Sequence, residues 1–370
     1  MRSFLGLVLA LCLGLAATPS RAADPLLAES IALTGPVLWL VSGAPGMVLA
    51  VVRGHDSVIE GYGETEKGNK IEPTAKTLFR LGSISKVFTT EVLASLVVDG
   101  TLRLTDPLQQ YAGSVTVPRV SGAPPITLLD LATHTAGLPR EMGFAPEKPP
   151  FTWPTRADRW AWLSREKLGW APGSVAAYSN VGFDLLADAL ATAAGQPYAT
   201  LLSARVTGPL GMKDTTLDPT PDECQLLMIG SGIGGPGPCV DTEATGGSGG
   251  LYSTGADMAI WLRHNLDTTD PVLLLSHAIY RPRQSLSAAI GFDEAGPMAG
   301  IGLGWIMLAA HGDQPMLLEK SGGGGGFMSY IAFAPGRDVG AFVVVNRVDF
   351  GMFAGLTKGI NDLIANLVTR

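Results

Sequence analysis

The chain has 370 residues, 46% hydrophobic and 16% charged, with 47 Gly, 26 Pro, three Cys and a formal net charge of −7. Gly and Pro make up about a fifth of it, short of the roughly 25 to 30% that marks low complexity, and the apolar share is too high for disorder. A pI near 5.3 without any Lys/Arg run excludes a nucleic-acid binder, because phosphate recognition needs a basic footprint. The length predicts one large or two intimately packed domains.

Residues 1–22 read as a signal peptide: Arg2, an uncharged stretch from Phe4 to Ala17, then small residues suited to cleavage after Ala22. That stretch is too short for a membrane anchor, which needs about 20 apolar residues. Cys12 lies inside the apolar run after Leu11, a poor lipidation site. A second uncharged stretch, Ile31 to Val52, is broken by Gly35, Pro36, Gly43, Pro45 and Gly46, which predicts two short buried segments. Cleavage removes Arg2 and Arg21, so the charge goes from −7 to −9, and the reading is a soluble, exported acidic protein. It leaves Cys224 and Cys239 flanking a Gly/Pro-rich loop in an oxidising compartment, which predicts a disulfide; two free buried thiols are the plain alternative.

Met47–Val52 and Ser57–Tyr62 flank a turn and predict a strand hairpin, so a sheet is expected to start the mature chain. From Ile84, apolar residues at helical spacing predict a buried helix ending at Gly100. Helical patterns recur over Leu128–His134, Arg156–Leu168 and Phe183–Ala193, joined by Pro/Gly loops. Strand patterns return at Gly304–Leu308, Phe327–Phe333 and Val339–Val345, before an amphipathic helix through Leu356, Ile360, Ile364 and Leu367. The expected architecture is α/β (α+β): one sheet from both chain ends (23–80 and 250–370), with a mostly helical domain (81–249) inserted. The site is expected in the cleft between them.

Ser83 and Lys86 sit where a strand-like segment turns into the buried helix. At i and i+3 they share a helix face, and free backbone N–H groups at the helix start favour a developing oxyanion. An amine beside a hydroxyl can take or relay its proton. The spacing alone is weak, since Ser164 and Lys167 repeat it on what reads as a solvated face. Two further motifs strengthen it: Tyr178-Ser179-Asn180 after the turn APGS, and Lys320-Ser321-Gly322 before the strand FMSYIAFAP. Ser-x-x-Lys, Tyr-x-Asn and Lys-Ser-Gly in this order resemble the penicillin-recognising serine enzymes.

The chain resembles the class C β-lactamase and low-molecular-mass penicillin-binding protein superfamily, through LLDLATHTAGLPRE (128–141), PGSVAAYSNVGFDLLADAL (172–190), PLGMKDTTLDP (209–219), GGLYSTGADMAIWL (249–262) and GLGW (302–305). PREMG, the Cys224/Cys239 loop, KSGGGGGFMSYIAFAP and GINDLI resemble its AmpH-type DD-carboxypeptidase/endopeptidases. The resemblance implies a β-lactamase/transpeptidase-like fold and an acyl-enzyme mechanism on D-Ala-D-Ala peptides. It implies Ser83 as nucleophile, Lys86 and Tyr178 as proton relay, and Asn180, Lys320, Ser321, Gly322 and Gly323 as the substrate-binding set, with Ser83 and Gly323 N–H groups as oxyanion hole. It also implies peptidoglycan stem peptides and β-lactams as partners, no cofactor, a periplasmic location and peripheral association with the inner membrane; no oligomeric state follows.

Each residue has a plainer reading. Asn180 could cap the helix after it, and Lys320 could be an ordinary strand-end charge. The Gly322–Gly326 run suggests a phosphate loop but lacks a following helix. The chain departs from the class C pattern at Ser321, where Thr is common, and at Arg140-Glu141, where Gln is common, which weakens a β-lactamase reading. Arg347 reads equally as a carboxylate binder or an exposed charge. Gly246–Gly250 matches a nucleophile elbow without the hydrophobic strand it needs. An esterase on the same serine and a penicillin sensor are the competing functions, the sensor having no need of a proton relay. The five His (55, 134, 264, 277, 311) show no metal-ligand spacing, and His134 reads as a structural hydrogen-bonder.

Overall fold

The computed structural model describes residues 24–143, 151–292 and 295–369; the expected leader at 1–22, with Cys12, lies outside them. Eight strands form one sheet: β1 (Gly46–Arg53), β2 (Asp56–Gly63), β3 (Arg281–Pro282), β4 (Met298–Ile301), β5 (Ile306–Leu308), β6 (Leu317–Gly324), β7 (Phe327–Ala334) and β8 (Val339–Val345). Their order is β2-β1-β8-β7-β6-β5-β4-β3, every neighbour antiparallel. Strand β1 joins β8 with Met47 opposite Val345, so strands from the two ends of the described chain are neighbours in the sheet, one strand in from the β2 edge.

Two tight hairpins set the register. Arg53 pairs with Asp56 across Gly54-His55, with Gly54 at φ 58°. Gly324 pairs with Phe327 across Gly325-Gly326, at φ 60° and 86°. Both turn residues there occupy the left-handed region that glycine adopts freely, as the favoured two-residue hairpin requires.

Alternation along the strands divides the core. Val48, Ala50 and Val52 of β1, with Ile331 and Phe333 of β7, face one hydrophobic cluster. That cluster includes helices α2 (Ser85–Val98), α3 (Leu128–Ala132), α4 (Arg156–Leu163), α5 (Asn180–Ala194) and α6 (Gly255–Asn265). Met47, Leu49 and Val51 face the second cluster, beneath α1 (Pro25–Ser42) and α7 (Phe350–Thr369). The result is helix, sheet, helix: period-two side chains are buried on both faces.

Several expectations change. A helix, not the sheet, opens the described chain: Asp24 caps α1 through the Leu26 and Leu27 amides, and Pro25 sits at its first position. Ile31–Val52 is the second half of α1 plus β1 rather than two short buried segments. Pro36 faces outward, and Gly35 lets the Tyr62 hydroxyl lie against the helix where a Cβ would overlap it. Helix α4 stops at Leu163, so Ser164 and Lys167 fall on an exposed turn.

Candidate active site

The site lies where α2 starts, β6 passes and the turn before α5 arrives. Ser83 sits in the tight turn Gly82–Ile84 leading into α2. A Cβ on Gly82 would stand 2.6 Å from the Gly323 amide nitrogen, and one on Gly322 would overlap the Leu81 carbonyl. Glycine at both positions therefore permits β6 to run against the Ser83 turn.

Lys86 is fully buried, with three acceptors for its three N–H bonds: Ser83 Oγ at 3.1 Å, Asn180 Oδ1 at 2.6 Å and the Ser248 carbonyl at 2.5 Å. Burial lowers its basicity, Lys320 adds to that, and Tyr178 and Asp184 oppose it. The Tyr178 ring lies 5.0 Å from Lys86 Nζ, 5.3 Å from Lys320 Nζ and 4.7 Å from the Arg140 guanidinium. Burial would raise its phenol; Lys320 and Lys86, with hydrogen bonds from Ser83 and Lys86, outweigh it and bring the pKa down to about 8.

Asn180 is the first residue of α5, but Ser179 caps that helix by accepting from Gly182 N at 3.0 Å. The Asn180 side chain is thus free to accept from Lys86 and donate to Glu141. Lys320 lies inside β6, one hairpin ahead of β7 (FMSYIAFA) as its motif suggested and not at a strand end, and donates to the Ser321 carbonyl at 2.9 Å. A cleft of about 320 Å³ is lined by Ser83, Tyr178, Arg140 and Ser321–Gly325, with Ile233 and Phe350 among its apolar walls.

The glycine run 322–326 thus divides into a close approach and a hairpin turn. Arg347 is committed to the Gly43 carbonyl and Asp349 and does not line this cleft. The serine of GGSGG is buried and gives its carbonyl to Lys86. His134 accepts from Ser179 N at 3.0 Å and stacks on Tyr178 at 4.3 Å, with φ 57°. Burial and the charges of Lys86, Lys320 and Arg140 hold it neutral, well below the ordinary range. Cys224 and Cys239 form the expected disulfide, which fits an oxidising compartment. No cluster suited to a metal ion occurs among the described residues.

Sequence reasoning missed the Ser248 carbonyl, the stacking of His134 on Tyr178, and Asp184. The last had a local signal, four residues after Asn180 on the same helix face.

The "Beta-lactamase" family profile matches residues 40–363. The chain is 46% identical over 333 residues to D-alanyl-D-alanine-carboxypeptidase/endopeptidase AmpH of Escherichia coli K12, covering 88% of this chain and 86% of that protein. It is 28% identical to a beta-lactamase of the same organism, over 82% of this chain and 84% of that protein. A crystal structure of a beta-lactamase/D-alanine carboxypeptidase from Yersinia pestis, complexed with citrate, superposes with a TM-score of 0.89 at 44% identity, covering 93% of this chain and 99% of that one. The chain belongs to the beta-lactamase family.

Proposed function

We propose that this protein is a serine DD-peptidase of peptidoglycan, removing terminal D-Ala and cleaving D-Ala cross-links through an acyl-enzyme. The observation that carries the reading is Lys86 Nζ at 3.1 Å from Ser83 Oγ, beside a Tyr178 phenol held between two lysines. Ser83 Oγ attacks the penultimate D-Ala carbonyl while its proton passes to the coupled Lys86/Tyr178 pair. The amides of Ser83 and Gly323 receive the oxyanion. The pair then returns the proton to the departing amine, and water releases the acyl group by the same route.

Asn180 holds the acyl-side amide and Lys86, while Lys320 and Ser321 face the substrate carboxylate, with Gly322 keeping the strand close. β-Lactams acylate the same serine. The disulfide supports a periplasmic location, and the exposed Leu33, Val37, Leu40 and Val41 of α1 support peripheral association with the inner membrane.

The test is mass spectrometry of products from pentapeptide monomers and cross-linked muropeptide dimers, with Ser83→Ala alongside. Loss of D-Ala or release of monomers by the wild type alone is the expected result. Untouched muropeptides would return the reading to a β-lactamase or esterase.

A further inference from the structure

The loop 139–141 meets every residue of the Tyr178-Ser179-Asn180 turn. The Pro139 carbonyl accepts from Ser179 Oγ at 2.7 Å, the Arg140 carbonyl accepts from the Asn180 amide nitrogen at 2.8 Å, and the Arg140 guanidinium lies 4.7 Å from the centre of the Tyr178 ring. The Glu141 carboxylate completes the set by accepting from Asn180 Nδ2. Leu138 is buried and Met142 packs against the same core, so the loop is anchored on both sides of these contacts. Its three residues are exposed, and none has a part in the steps above.

The two ends of the Asn180 side-chain amide are held by groups that bond in one sense only. A carboxylate accepts and cannot donate; an ammonium donates and cannot accept. Glu141 on Nδ2 and Lys86 on Oδ1 therefore agree on one orientation of the amide. Lys86 enforces that orientation only while it is charged. Once it has given up a proton, Nζ keeps two N–H bonds and gains a lone pair, which must face one of its three neighbours. With Asn180 Oδ1 and the Ser248 carbonyl each taking an N–H, the lone pair is left facing Ser83 Oγ at 3.1 Å. An amide turned over would offer its own N–H to that lone pair and draw the amine away from the serine. Glu141 resists the turn, because turning sets the amide oxygen against its carboxylate.

We propose that Glu141 is a positioning residue: by holding Asn180 Nδ2 it keeps the neutral Lys86 amine aimed at Ser83. The proposal rests on the serine-enzyme reading above. The charged and titratable groups around Lys86 are Tyr178, Lys320 and Asp184, the last with Arg159 at 4.0 Å, and the neutral His134 stacked on Tyr178; Arg140 adjoins Glu141. Their charges set where Lys86 titrates, whereas the sense of the Asn180 hydrogen bonds sets where its lone pair points.

The two orientations compete only in the neutral state, and this fixes the pH signature. On the rising limb the rate follows the scarce aimed amine in equilibrium with the ammonium, a population that a second neutral orientation leaves unchanged. At the plateau the turned form takes its share and the rate falls. The experiment is the rate of Ser83 acylation by a penicillin, followed by the mass of the adduct as a function of pH. Glu141→Ala is expected to match the wild type on the rising limb and to reach a plateau about 10-fold lower, the scale of one hydrogen bond to a charged group, with its midpoint about one pH unit lower as that factor requires. Glu141→Gln removes the same charge but leaves an acceptor, so its plateau should stay within about threefold of the wild type. The exposed position of Glu141 lets both variants fold, which circular dichroism checks. A rate lowered by one factor at every pH marks a purely structural role, an unchanged plateau in Glu141→Ala marks no role, and equal losses in the two variants mark an effect of charge; each overturns the proposal. A wild type that penicillin never acylates refutes the serine-enzyme reading, and the proposal with it, so the two failures are distinct.

Discussion

Lys86 has no spare bond: each ammonium hydrogen has an acceptor, one of which is Ser83 Oγ, the proposed nucleophile. The arrangement is only as good as the backbone that brings β6 to the Ser83 turn, and this makes Gly322 the most exacting position in the site. A methyl group there would overlap the Leu81 carbonyl and press on Ser329 Oγ, so β6 must back away from Ser83. Gly322→Ala is expected to slow acylation by about 100-fold, the scale of a displacement near 1 Å, measured as the adduct-formation rate with a penicillin. An unchanged rate would show that strand position does not limit the reaction. Ser83, Lys86, Tyr178, Asn180 and Lys320 were legible because each belongs to a short motif with its own local geometry. The contacts that lock Lys86 were not, since Asn180 and Ser248 stand 94 and 162 positions away and only the folded chain joins them.

The element that most shapes the cleft without joining the chemistry is the disulfide loop. Its backbone is hydrogen-bonded to the β6–β7 hairpin and to the segment between β8 and α7: Ser231 N to the Gly326 carbonyl, Gly237 N to the Gly325 carbonyl, and Ile233 N to the Val348 carbonyl. Ile233 and Gly234 then line the cleft. Changing both Cys224 and Cys239 to Ala is expected to cost about 3 kcal/mol of stability in the chain-entropy model. It should alter KM for cross-linked dimers more than for pentapeptide monomers, because Ser83, Lys86 and Tyr178 lie on other elements. Equal effects on the two substrates would show that the loop is a staple only. At this scale the sequence was readable where the signal was periodic, as in the β1–β2 hairpin and α2. It misled where Gly35 and Pro36 imitated a break, because only the position of Tyr62 reveals that a glycine is required inside a continuous helix.

Across the whole molecule, the sheet separates two cores with different duties. One packs β1, β7 and β8 against the helices that carry Ser83, Lys86 and Asn180; the other seals the same strands beneath α1 and α7. Since β1 pairs with β8 and α1 packs on α7, the sheet and the outer layer together fasten the first and last segments of the described chain. Leu27, Ile31 and Leu38 of α1 are buried there, and none touches the cleft. Ile31→Ala removes a fully packed side chain from this layer and is expected to cost about 2 to 5 kcal/mol, read by denaturant unfolding. The acylation rate of the folded variant should equal that of the wild type, because the strands between the layers keep their hydrogen-bonded register. A slower rate at full folding would mean that the outer core transmits strain through the sheet, and that the site depends on the closure of the chain ends as well as on its own contacts.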